Sequence, residues 1–170
     1  MTVAGSELDQ RPIRIEAGTF GQEAPLILSP QHGLLLTAPD GSEQLVRARH
    51  LARLRGGAVR VMNGCRGVRY YHLLFDTHQL VWANGLPAES FYPGPLALAG
   101  LTPQSRGALF AEVPAFARIT SGTDIRRLYG APVADYSRTR LLPSHVGDFR
   151  ATLASGLIAS GVPASPQKVA

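Results

Sequence analysis

The chain is poor in the residues that staple, span or carry opposing charge. It has one cysteine, Cys65, which excludes an intrachain disulfide and a zinc site built from cysteines. No apolar run approaches the ~20 residues of a membrane-spanning helix, so no membrane segment is expected. The first residues, Met1-Thr2-Val3-Ala4-Gly5-Ser6-Glu7, show neither a basic region nor an apolar one of the kind that directs export, and the cytoplasm is the default expectation. Charged residues make up only 17% of the chain, and of its 17 basic residues only Lys168 is a lysine. The arginines are scattered, with few aromatics between them and no recognition motif, so the net charge of +5 reads as arginine usage and nucleic acid is not an expected partner. Gly18-Thr19-Phe20-Gly21 lacks the lysine and following helix of a phosphate-binding loop, and there is no Gly-x-Ser-x-Gly elbow. No cofactor is expected.

What is present is a 45% hydrophobic composition over 170 residues, enough for one domain with a real core and a short appendage. Short apolar or alternating runs recur at 12–15, 25–28, 34–36, 43–46, 58–62, 68–75 and 80–83, separated by glycine and proline. They predict an all-β region of many short strands over residues 11–101. Val46 to Leu51 suits a short helix or bend. Asp76-Thr77-His78 suits a hairpin turn between the last two runs, and Asn84-Gly85 closes the second. Composition changes after Pro93-Gly94-Pro95. Thr102-Pro103 reads as a helix cap followed by proline at the first helical position, with helical turns over 105–112. Weaker helical patterns follow at 124–129 and 131–142, and a poorly capped segment at 146–157. The expected organisation is a disordered 1–10, the β domain at 11–101, a helical tail at 102–159 with helices only after Thr102, and a disordered Pro/Ser/Ala-rich end at 160–170.

Five histidines carry most of the available chemistry. Ser29-Pro30-Gln31-His32 places a hydroxyl and an imidazole on one tight bend, from which both can reach a single amide, and an imidazole exchanges protons near neutral pH. The bland alternative is a histidine that ends a strand and bonds to backbone. His72, Asp76 and His78 form H-x3-D-x-H, to which His32 or His50 can add an imidazole, which leaves a metal cluster open beside a simple polar turn. Cys65 sits in the turn-like Asn63-Gly64-Cys65-Arg66-Gly67, as a nucleophile or as an incidental loop residue.

Taken together, Ser29-Pro30-Gln31-His32-Gly33 with its following leucines, Tyr71-His72-Leu73 and the stretch Asp76 through Ser90 resemble two blocks of the Hedgehog/intein (Hint) self-processing domain, in its bacterial Hint-like branch. The resemblance covers roughly residues 11–101. It implies a partial horseshoe or disc of short strands with a short helical tail. It also implies autocatalytic cleavage by an N-to-S/O acyl shift, with Ser29, His32, His72 and His78 as the catalytic set and no metal. The family's opening nucleophile block has no counterpart here, and Glu89-Ser90 stands where inteins carry His-Asn, which removes the asparagine route. The expectation is therefore a C-terminal portion of the domain, inactive alone. It would be completed by a complementing N-terminal Hint fragment, by a homodimer, or by its own tail folding over the gap that the absent strands leave. A decayed scaffold kept as a protein-binding module, and a small metal-binding β protein, stand as alternatives.

Overall fold

The computed structural model describes residues 2–5, 11–65, 67–138 and 142–151. It is sheet-rich, with antiparallel strands and a few short helices. The expected disorder at 160–170 lies outside the described residues, as do most of 1–10 and the last part of the 146–157 segment.

β2 (Ile13–Ile15) pairs with β3 (Leu26–Leu28) on one side and β6 (Val59–Val61) on the other. Alternation does the sorting: Ile13, Ile15, Leu26 and Leu28 point inward, while Arg14 points out to Glu16, which also meets Arg60. A second sheet is built on β4 (Gly33–Thr37). Its full length pairs with β5 (Glu43–Arg47). It also pairs with β9 (Leu86–Glu89) at Leu34↔Ala88 and with β10 (Arg150–Ala151) at Leu36↔Ala151. β8 (Leu80–Ala83) lies beyond β9. The inward residues of both sheets form one cluster, with Leu34, Leu36 and Val46 fully enclosed. Burial of each such side chain contributes about 1.5–3 kcal/mol. A hairpin joins β8 to β9 through Asn84-Gly85, both at positive φ, with Ala83↔Leu86 closing a two-residue turn. Within β9, Leu86 and Ala88 enter the cluster, so the same alternation sends Glu89 to the opposite face.

The short helix at the end of β5 is present as α1 (Ala48–Leu51). α3 (Pro103–Glu112) starts where Thr102 and Pro103 placed it, with the Thr102 side chain accepting from Ser105 N–H. α4 (Gly122–Tyr129) carries a reciprocal cap between Ser121 and Asp124. Phe91, Leu98, Leu109, Phe116, Ile119, Ile125 and Tyr129 close a second cluster.

Several expectations are corrected. α2 (Pro95–Ala99) precedes Thr102, started by Pro95 at the first helical position. β7 (Val68–Tyr71) stops at Tyr71 rather than Phe75, and it pairs with β1 (Thr2–Gly5), inside the stretch read as disordered. β7 and β8 lie in different sheets, so residues 76–78 link two sheets and make no hairpin. The described part of 131–142 is not helical. Its backbone instead joins β5, with Leu45 N–H donating to Asp135 and Ser137 N–H donating to Leu45. An extended edge offers these amides partners that an isolated helix containing Pro132 does not. The tail thus returns to the β domain at three places: Tyr136 beside Leu45, His145 beside Arg55, and β10 on β4. No helix of the described residues is long and apolar enough to cross a membrane.

Candidate functional site

A cavity of about 420 Å³ opens between the second sheet and the tail. The Ser29-Pro30-Gln31-His32 bend forms one wall as a true turn, with His32 N–H donating to Ser29 C=O at 3.1 Å. The bend is tied to α1, where Ala48 N–H reaches His32 C=O and Arg49 N–H reaches Pro30 C=O. Ser29 and His32 both line the cavity. His72, just past β7, lines it too, held by a hydrogen bond from Phe91 N–H to Leu73 C=O at 2.7 Å and by its ring against Phe91 at 4.9 Å. His32 and His72, 40 positions apart in the chain, thus line one chamber, the first from a turn and the second from just past a strand end.

His78 is placed differently. It does not line the cavity; its side chain is fully buried behind Glu89, with Nε2 3.4 Å from Glu89 Oε2 and 3.2 Å from Ser90 C=O. Its Nδ1 accepts from Val133 N–H at 3.0 Å, which assigns the ring proton to Nε2. Nε2–H then points at Glu89 and Ser90.

Glu89, singled out in the sequence only as a departure from the intein pattern, is the electrostatic centre of the site. Its Oε1 accepts from Gly33 N–H at 2.6 Å, and its Oε2 accepts from the Tyr136 hydroxyl. A Cβ on Gly33 would sit 2.9 Å from Oε1, so glycine is what allows the carboxylate this close to β4. Burial pushes the Glu89 carboxyl up, but hydrogen bonds from His78 and Tyr136, with the fields of His32 and His78, outweigh it and hold the group below its ordinary range. Burial, and then the charge of Glu89, push the Tyr136 phenol up, which keeps it a donor. Arg47 stacks over the Tyr136 ring at 4.5 Å from its centre.

The two cavity imidazoles lose proton affinity. His72 is lowered to about 4, by burial first and then by His32, against a smaller opposing pull from Glu89. His32 is lowered by burial, with Glu89 opposing and His78 adding to the shift. Both are thus neutral acceptors at neutral pH, with a carboxylate nearby to compensate charge if either takes a proton. Glu89 itself, already filled with donors, acts as a fixed charge rather than as a base.

Tyr136 and Arg47 carried no sequence signal. Glu89 did: a lone charge inside the apolar and small stretch Leu86-Pro87-Ala88-Glu89-Ser90-Phe91 belongs in a strand only if it is paired. Cys65 is outside the cavity lining, its thiol donating to Gly67 C=O at 3.2 Å. Asp76 is exposed, and no group of three or more His, Cys, Asp or Glu side chains among the described residues gathers to hold a metal.

A family model described as a Hint domain matches residues 3–95. Comparison with curated proteins and with solved structures finds no match.

Proposed function

The chain belongs to the Hint domain family, and from that we propose that the cavity is the proton-transfer part of a self-processing site. In this reading His32 takes the proton of an attacking thiol or hydroxyl and returns it to the departing amine. Ser29 polarises the scissile amide beside it, His72 serves as the second acceptor, and Glu89 compensates the charge that forms on the imidazoles. The observation that carries the reading is the meeting of Ser29, His32 and His72 in one cavity, with Glu89 lining the same space. In this reading the attacking nucleophile and the scissile peptide come from a complementing Hint segment: the sole thiol is off the cavity, Ser29 is taken up with the amide, the Ser90 hydroxyl is held by Gln79 N–H, and Glu89-Ser90 offers no asparagine for ring closure.

Catalysis of this kind needs a nucleophile held about 3–3.5 Å from the scissile carbonyl. The isolated chain is therefore expected to stay intact when incubated for a day at neutral pH with dithiothreitol or hydroxylamine, followed by intact-mass measurement. A loss of mass matching scission at one peptide bond, abolished by His32→Ala, would show that the chain carries its own nucleophile and that its place has been misread.

The apolar wall of the cavity, formed by Tyr70, Phe91, Leu101 and Ile125, favours a second reading as a peptide-binding module. The two readings separate on His32→Ala: a pure binding site keeps its ligand, whereas processing with a complementing fragment is lost.

A further inference from the structure

Residues 129–137 lie beyond the part of the chain that the family model matches, yet they pack against the site, and Tyr136 lines the cavity itself. Their attachment is specific at each step. Tyr129 Oη–H donates to Phe75 C=O at 2.8 Å, and Tyr92 Oη–H donates to Gly130 C=O at 2.9 Å. Val133 N–H donates to His78 Nδ1, and the Tyr136 hydroxyl donates to Glu89 Oε2. The backbone on either side of Tyr136 bonds to Leu45 in both directions, at 2.8 and 2.9 Å.

We propose that this segment is a positioning strap, which through Val133 N–H and the Tyr136 hydroxyl fixes the His78 tautomer and the Glu89 carboxylate in a single hydrogen-bonded order. The proposal rests on reading the cavity as a proton-transfer site and says what sets its charge. The argument is one of donors and acceptors. A buried carboxylate between two strands can accept from several groups, and a buried imidazole can point its proton either way. Val133 N–H can meet only an unprotonated Nδ1, so it forces the His78 proton onto Nε2 and toward Glu89. Tyr136, pinned by Leu45 behind it and Arg47 above it, occupies the other approach to Oε2. The charged and titratable groups around the carboxylate are then His32 and His72 in the cavity, His78 behind, and Arg47 and Tyr136 at the edge. With its acceptor sites spoken for, Glu89 has one role left toward the imidazoles, that of a fixed negative charge. Tyr136 shares the cavity wall, but its hydroxyl is given to Glu89, so toward the imidazoles it is a positioning residue acting through the carboxylate.

Nuclear magnetic resonance on the full, isotopically labelled chain tests this without a substrate. The Glu89 side-chain carboxyl is titrated in the wild type and in Tyr136→Phe, and the His78 ring nitrogens are assigned in the wild type. Loss of a hydrogen bond to a charged group is expected to raise the Glu89 midpoint by about one pH unit, with His78 Nδ1 found unprotonated. Coincident Glu89 midpoints in a folded Tyr136→Phe, with only a lowered melting temperature, would reduce the tyrosine to a packing role and overturn the proposal. A proton on His78 Nδ1 would overturn it from the wild type alone, whether or not the variant folds. Cleavage plays no part in either measurement, so failure of the self-processing reading shows in intact mass, and failure of the strap shows here.

Discussion

The two halves of this molecule are held together by different chemistry. Between the sheets the cluster is mainly aliphatic: Ile13, Ile15, Leu34, Leu36, Val46 and Leu86 are all within 1% of complete burial. Around the tail helices aliphatic side chains are interleaved with aromatic rings that keep their polar ends, with Phe116 edge-on to Tyr129 at 5.5 Å and, beside the cluster, His78 against Tyr92 at 4.8 Å. The first half gains stability from removing hydrocarbon from water, which is indifferent to direction. The second must satisfy hydroxyls and imidazoles one by one, which is directional. The cavity lies where the two meet, so it inherits a rigid floor from the one and oriented donors from the other.

The sharpest way to break that comparison is to remove one buried side chain from each half. Leu36→Ala is expected to cost about 2–5 kcal/mol, close to the whole stability of many domains, and to accelerate hydrogen exchange throughout. Ile125→Ala has a similar local cost but is expected to speed exchange mainly in 91–137. Equal acceleration of β2 and β4 in Ile125→Ala would show that the halves open as one unit.

Next in size is an acid limb. His72 has a folded value of about 4 against an ordinary 6.5, so the unfolded chain binds its proton first. The stability this provides is whole above pH 6.5 and is lost as pH falls toward about 4, on the order of 3 kcal/mol. His32 and His50, also lowered by burial, tilt the curve the same way. Denaturant titrations between pH 7 and 4 should show this slope, and His72→Gln should flatten it. An unchanged slope would place His72 in a wetter environment than the cavity implies. Smallest is Ser121→Ala, which removes the reciprocal cap of α4 and is expected to cost about 1 kcal/mol, confined to the tail half.

The same contrast governs what was legible beforehand. The sheet half speaks in periodicity: Pro-Ile-Arg-Ile, Leu-Ile-Leu and Leu-Val-Trp-Ala each became strands within a residue or so of their apolar runs, and Asn84-Gly85 announced its turn. β9 was harder, because Pro87 argues against a strand; the sheet tolerates it since β9 meets β4 only at Leu34↔Ala88. The Ser29 to His32 bend is legible in its own residues, while the family resemblance marks His72 and His78 alike and does not tell that only the first lines the cavity. Residues 131–138 give no strand signal, because a short stretch with Pro132 in it and no alternation carries no record of the edge it will join. Tyr136 and Arg47 were invisible for the same reason: their roles depend on contacts 47 and more residues away, which no local pattern encodes.

That separation has a meaning in time. Glu89 and the Tyr136 hydroxyl that caps it are 47 residues apart. At a synthesis rate of about 5–20 residues per second, a growing chain holds its carboxylate, without its phenol, for roughly 2–10 s. During that interval the chain already holds Gly33 and His78 for this carboxylate but not the phenol. The hydrogen-bonded order around the imidazoles is thus completed only after the segment carrying Val133 and Tyr136 has been made.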